Sequence, residues 1–353
     1  MHTGRRTAAR SGARFRRRAS TLAALAAVVG VSLVPAAPAA AATTVTVDPA
    51  EVYQANWQGW GTSLAWWANV VGGWSATNRD AVLDQVFGSS GLGMTIARYN
   101  IGGSAPDEPG MRAGAAVQSY LDANGTYDWT KDANQRTILQ GAKNRGADLF
   151  EAFSNSPPWW MTNSGRTSGA SGCGNNLKSD QYDAFAAYLA EVTKHFRDSW
   201  GTTFSTVSPV NEPDGSWWCL GGGQEGSAWS EAQQASIVTK LGQQLDSRGL
   251  TLTGVSAPDS NGVNAANSAI TSFDSTARSH LEQVNTHSYN AAGEPSLRDT
   301  TVGLGKHLWM SEYGCCNGAH DHNSIGNGLA LADRITNDLN DLRPSAWVYW
   351  QAV

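Results

Sequence analysis

The sequence is short of charge and of cysteine, and each shortage excludes something. Charged residues make up 16% of its 353 positions. Seven of its 25 Lys and Arg precede residue 19, ahead of any acidic residue. Without that segment, 18 basic side chains face 30 acidic ones, a net of −12 (18 − 30). A surface of that sign excludes nucleic acid and anionic membrane as partners. Only Cys173, Cys219, Cys315 and Cys316 are present. Even with His320 and His322 their spacing matches no standard zinc pattern, so no metal is expected. No apolar run beyond residue 42 is long enough to span a bilayer, so the mature protein is expected to be free of the membrane. The first candidate strand is followed by no Gly-rich phosphate turn. Gly59-Trp60-Gly61 lacks the third glycine, which argues against an open nucleotide-binding sheet and leaves no cofactor expected.

What is present begins with an export signal. Arginines, an apolar run from Leu22 to Val34 and small residues ending at Ala40-Ala41-Ala42 describe a signal peptide over residues 1–42. Arg16-Arg17-Arg18 fits twin-arginine export as well as the general route. The protein is therefore expected to be secreted and monomeric, in a compartment where disulfides persist. The cysteines fall in Gly-rich loops after candidate strands. Loops three and four are neighbours on a barrel top, which favours a Cys173–Cys219 bond.

From residue 43 to 353 the pattern alternates strand and helix. Strands are expected at 58–62, 94–100, 149–154, 204–210, 251–256, 283–287, 307–311 and 346–351. Helices are expected at 76–87 with Thr77 as N-cap, 130–145, 179–200, 230–248, 265–278, 296–304 and 328–342. Ser230 and Gln233 form a capping box. Eight strands alternating with helices predict a (β/α)8 TIM barrel, an α/β fold.

Barrels place their chemistry at strand C-terminal ends. Val207-Ser208-Pro209-Val210-Asn211-Glu212-Pro213 ends strand four on an amide and a carboxylate. Trp309-Met310-Ser311-Glu312-Tyr313-Gly314 ends strand seven on another. One strand-tip Glu reads equally as the end of a surface strand. Two of them match glycoside hydrolysis, in which one carboxylic acid protonates the leaving oxygen and one carboxylate attacks or activates water. Arg98 ends strand two, Asn155 follows strand three, His287 and Tyr289 end strand six, and Trp350 ends strand eight. Arg98 reads either as a support for an ionised carboxylate or as a barrel-top salt bridge. His287 reads either as a site residue or as a hydrogen-bonded scaffold histidine.

Tryptophan is abundant, at fifteen residues. The doublets Trp66-Trp67, Trp159-Trp160 and Trp217-Trp218 follow strands one, three and four. In loops they are expected to be exposed platforms for the apolar faces of sugars. Stacking nucleic-acid bases conflicts with the acidic charge.

These residues resemble clan A of the retaining glycoside hydrolases. Asn211-Glu212-Pro213, Glu312, Arg98 and His287-x-Tyr289 carry that likeness. The strings 59–67 (GWGTSLAWW), 98–103 (RYNIGG), 154–161 (SNSPPWWM) and 311–314 (SEYG) resemble family 30, and its endo-β-1,6-galactanase-like branch in particular. The resemblance implies Glu212 as acid/base and Glu312 as nucleophile. It implies that Asn211 bonds the sugar 2-hydroxyl, that Tyr289 and Arg98 hold the nucleophile, and that Trp350 floors the cleaved subsite. The implied substrate is β-1,6-galactan, as a polysaccharide or oligosaccharide. Independently of the resemblance, an axial O4 would need a polar partner, for which Asn155 and Asp214 are both candidates, and Trp66, Trp159 and Trp217 would stack on sugar units. Other implied readings are β-1,6-glucan or xylan, or exo action as a β-1,6-galactobiohydrolase; outside enzymes, a secreted carbohydrate-binding protein. Family members also carry a β-sandwich. Residues 44–52 are expected to supply its first strand, and its C-terminal part is absent from this chain.

Overall fold

The computed structural model describes residues 46, 48–314 and 324–353. The signal-peptide segment, Cys315, Cys316, His320 and His322 lie outside the described residues. The chain divides into Met1–Ala50 and Glu51–Val353, and the barrel lies within the second unit. The described part of 44–52 contains no strand.

The barrel is the expected one. Strands β1 (Gly59–Ser63), β2 (Ile96–Asn100), β3 (Leu149–Phe153), β4 (Thr206–Ser208), β5 (Gly254–Gly262), β6 (Leu281–Asn290), β7 (His307–Tyr313) and β8 (Ala346–Tyr349) pair in parallel, in sequence order, and close β8 onto β1. Helices α1 (Trp67–Val71), α2 (Ala76–Val86), α3 (Ala133–Lys143), α4 (Tyr182–Trp200), α5 (Glu231–Ser247), α6 (Val263–Ser272), α7 (Ser275–His280), α8 (Glu294–Leu304) and α9 (Gly326–Asn337) lie between them.

Local chemistry explains most boundaries. Phe185, Leu189, Val192 and Phe196 recur at helical spacing on α4 and are buried. Gly201 ends α4 in the left-handed conformation, at φ 62°, where glycine meets no steric penalty. The capping box of α5 forms as expected, with Ser230 and Gln233 each bonding the other's backbone. The α2 cap does not: Ser75, not Thr77, accepts from the backbone of Asn78. The expected helix at 265–278 is two, broken at Phe273 and Asp274, where Asp274 caps the second.

Strand β5 departs most. Its expected end at 256 is overrun to Gly262, through a cis Ala257–Pro258 bond. Proline cannot donate to a ladder, and it is tolerated here because the β5–β6 register shifts between Pro258 and Ser260. The shift carries Asp259 and Asn261 to the top of the barrel.

Two apolar layers support the site. The larger packs strands against helices, with Ala97 and Tyr99 of β2 and Ile138 and Leu139 of α3 among its members. Full burial of a side chain such as Ile138 or Leu139 contributes about 1.5–3 kcal/mol. A separate cluster joins Ile96, Trp309, Ala346 and Val348. Side chains alternate along a strand, so Arg98 shares a face with Ile96, and Ser311 with Trp309. The polar site thus stands one layer above an apolar plug.

Candidate active site

Arg98 is the hub. It is fully buried and bonds three acids from three other strands. Its Nε donates to Glu151 Oε1 at 2.9 Å, Nη2 to Asp259 Oδ2 at 2.5 Å, and Nη1 to Glu312 Oε2 at 3.3 Å. Nη1 also reaches the Ser311 carbonyl at 3.0 Å, and the guanidinium covers the Phe153 ring at 4.1 Å. An isolated buried charge is prohibitively costly, so these partners are what permit it. Arg98 is thus part of a buried salt-bridge cluster that also touches Glu312.

Glu151 and Asp259 complete the floor. Glu151 accepts from Thr206, Gln283 and Asn285 as well as Arg98. Burial raises its carboxyl, and Arg98 opposes that. Asp259 accepts from Ser311 Oγ at 2.6 Å and faces His287 Nε2 at 3.2 Å. Burial works against its charge too, but Arg98 and His287 hold it at about 2.

His287 stands between the two strand-tip glutamates. Cross-strand register pairs it with Glu312. Its Nε2 is occupied by Asp259, so Nδ1 is left facing Glu212 Oε1 at 3.4 Å and Glu312 Oε1 at 3.7 Å. Burial alone would lower its pKa. The charge of Glu312 and the bonds to Asp259 and Glu212 overcome that and push it to about 10. That shift favours the imidazolium form, in which both nitrogens donate.

Glu312 and Glu212 sit in different surroundings. Glu312 takes the Tyr289 hydroxyl on Oε1 at 3.2 Å and Arg98 on Oε2. The Tyr289 hydroxyl is itself fixed by the Gly314 N–H at 3.1 Å. Burial pushes the Glu312 carboxyl up to about 7 and the charge of Glu212 adds to this, while His287 and Arg98 pull it back. Glu212 accepts from Asn261 Nδ2 at 2.6 Å. Its backbone is left-handed, at φ 45°, as is that of Asp259, at φ 59°. Such conformations are unfavourable without a constraint. Here the Glu212 N–H donates to the Asp259 carbonyl at 2.8 Å, tying the two together. One atom each from Glu212, His287 and Glu312 lies within 4.8 Å of the others. That spacing also suits a metal, but the Arg98 guanidinium beside Glu312 opposes a second cation there. The arrangement has the parts for proton transfer from one carboxyl and attack by the other.

The remaining expected residues divide. Asn155 and Asn211 are buried, and each keeps an Oδ1 without a protein partner. Trp350 meets Trp66 edge-on at 5.4 Å, and the Arg112 guanidinium lies 5.1 Å from the Trp66 ring. The tryptophan doublets are not pairs of platforms. In each, the second ring is structural: Trp67 is buried in α1 and donates to Ser63, Trp160 donates to Leu121, and Trp218 donates to the Glu212 carbonyl at 2.8 Å. The first ring is the available one. Trp217 is 49% exposed, and Trp66 and Trp159 are half-buried. Cys173 and Cys219 form the expected disulfide, joining the loops after β3 and β4.

Glu151, Asp259 and Asn261 were not anticipated. Glu151 had a signal, a lone acid inside the apolar strand Leu149–Phe153. The other two lay beyond the expected end of β5. Cavity size does not locate the site: a space of about 500 Å³ between α2, α3 and α4 is lined by none of these residues.

Against this geometry, comparison with known proteins is decisive. A profile of O-Glycosyl hydrolase family 30 matches residues 42–289. The chain belongs to glycoside hydrolase family 30. It is similar to an endo-beta-1,6-galactanase of Hypocrea rufa, at 37% identity over 340 residues, covering 88% of this chain and 67% of that protein. It is similar to an exo-beta-1,6-galactobiohydrolase of Bifidobacterium longum subsp. longum, at 27% identity, covering 88% of this chain and 27% of that protein. A conserved exported protein from Bacteroides fragilis shares the fold at a TM-score of 0.74 and 26% identity, covering 87% of this chain and 71% of that one. Membership makes the chain a glycoside hydrolase.

Proposed function

We propose that this family 30 enzyme cleaves β-1,6-linked galactan with retention of configuration, through Glu212 as acid/base and Glu312 as nucleophile. The observation that carries the mechanism is the close approach of the two carboxylates, with the selected oxygens within 4.8 Å. Retaining enzymes hold their carboxyls about 5 Å apart, whereas inverting ones leave room for a water between them.

In the first step Glu212 gives its proton to the glycosidic oxygen, the C1–O bond breaks, and Glu312 bonds to C1. In the second, Glu212 takes a proton from water, whose oxygen displaces Glu312 from C1. The charge of Glu212 is one of the causes that raise Glu312, so a proton on the acid would favour the ionised nucleophile. Tyr289 and Arg98 hold the attacking carboxylate. The free Oδ1 atoms of Asn211 and Asn155 are unmet acceptors that sugar hydroxyls would satisfy.

The galactan reading is supported by the two relatives, both named for β-1,6-galactose linkages. Export is supported by the arginine-rich, apolar leader and the disulfide. The test compares β-1,6-galactotetraose with β-1,6-glucotetraose, following products and their anomeric form by NMR. The expected result is preference for galactose, β-anomers released first, and a mixture of product lengths. Equal rates, or α-anomers first, would refute the reading. Release of galactobiose alone from the first minute would assign exo action instead. A 2-fluoro glycoside should label Glu312, and a label elsewhere would overturn its role.

A further inference from the structure

Asn261 closes a ring of bonds around Glu212. Its Nδ2 donates to Glu212 Oε1 at 2.6 Å, and its own backbone N–H donates to Asp214 Oδ1 at 2.9 Å. Asp214 is two residues beyond Glu212, across Pro213. Two residues before Asn261, the Asp259 carbonyl takes the Glu212 backbone N–H. The tips of β4 and β5 are thus joined three times around one carboxyl group.

The two oxygens of that carboxyl are not equivalent. Oε1 faces both Asn261 Nδ2 and His287 Nδ1. With Nε2 taken by Asp259, His287 Nδ1 is the nitrogen that faces Oε1, and its raised pKa favours the form that donates there. A proton on Oε1 would point at two donors and find no acceptor. Oε2 has no such neighbour among the described contacts.

We propose that Asn261, fixed by Asp214, is a positioning residue that locks Glu212 with Oε1 as permanent acceptor and directs the transferable proton to Oε2. The inference rests on Glu212 being the acid/base. The charged and titratable groups facing Glu212 are His287 and Tyr289 of β6, Glu312 of β7, and Asp214 of its own loop. Asn261 is neutral, so it acts on proton placement without changing the count of charges.

The test uses the whole enzyme, with a β-1,6-galactooligosaccharide and its dinitrophenyl glycoside. The first needs protonation of its leaving group, and the second does not. Asn261→Ala is expected to lower kcat/KM about ten- to hundredfold on the oligosaccharide and only a few-fold on the dinitrophenyl glycoside. KM should change little. Asp214→Ala, which frees Asn261 from behind, should give the same split at smaller size and serves if Asn261→Ala fails to fold. Equal losses on both substrates, or none, would overturn the inference. Glu212→Ala runs alongside with added azide. If it shows neither leaving-group dependence nor azide rescue, the acid/base reading itself falls; if it shows both while Asn261→Ala shows no split, only the inference on Asn261 is lost.

Discussion

His287 spends its Nε2 on Asp259, at 3.2 Å, and this single bond decides what its other nitrogen can do. With Nε2 occupied, Nδ1 is turned to Glu212 and Glu312 together. One imidazole ring thereby bridges two carboxyls that otherwise repel.

That bridge makes stability depend on pH. The His287 pKa rises from 6.5 unfolded to about 10 folded. Its contribution is therefore complete below pH 6.5 and is lost as pH rises through about 10. The stability gap between wild type and His287→Gln should narrow by a few kcal/mol from pH 6 to pH 10. Denaturant melts at both values measure it; a constant gap would mean that His287 is neutral in the fold.

The same substitution should move the activity profile. His287 opposes the burial that raises Glu312, so removing its charge should raise that carboxyl further. Attack needs the ionised form, so activity would be lost at higher pH than in wild type. The acidic limb of kcat/KM on an activated aryl glycoside checks this. An unmoved limb would show that Arg98 and Tyr289 hold the charge without help.

The two tryptophans of one doublet should part company. Trp218 is buried and bonds the Glu212 carbonyl, so Trp218→Ala should destabilise by about 3–5 kcal/mol and lower turnover. Trp217 is half exposed, so Trp217→Ala should leave stability within about 0.5 kcal/mol. It should raise KM for longer oligosaccharides several-fold while sparing kcat. Equal effects of the two would contradict the division of labour seen in the structure.

The disulfide ties the rim that carries those rings. Cys173 and Cys219 are 46 residues apart, and replacing both by serine should cost about 2–4 kcal/mol. Thermal melts with and without reductant test it, and a variant as stable as wild type would limit the bond to local ordering.

Much of this was written in the chain. Alternating strand and helix patterns sufficed for a barrel, because burial follows local period. Asn211-Glu212-Pro213 and Ser311-Glu312-Tyr313-Gly314 located their glutamates near strand ends, because proline and glycine mark where a strand must stop, although β4 already ends at Ser208 and Glu212 follows it in the loop. The Cys173–Cys219 bond was also within reach, since neighbouring loops follow from strand order. Three things needed the closed structure. Glu151, Asp259 and Arg98 come from β3, β5 and β2, and only a closed barrel aims their inward side chains at one another. Asn261 reaches Glu212 because a register shift at Pro258 carries β5 past its apparent end. Which carbonyl the second indole N–H of each Trp doublet meets, as Trp218 meets that of Glu212, was not visible in the pattern. Local pattern reports how deeply a residue is buried, and tertiary closure alone decides which partner it meets there.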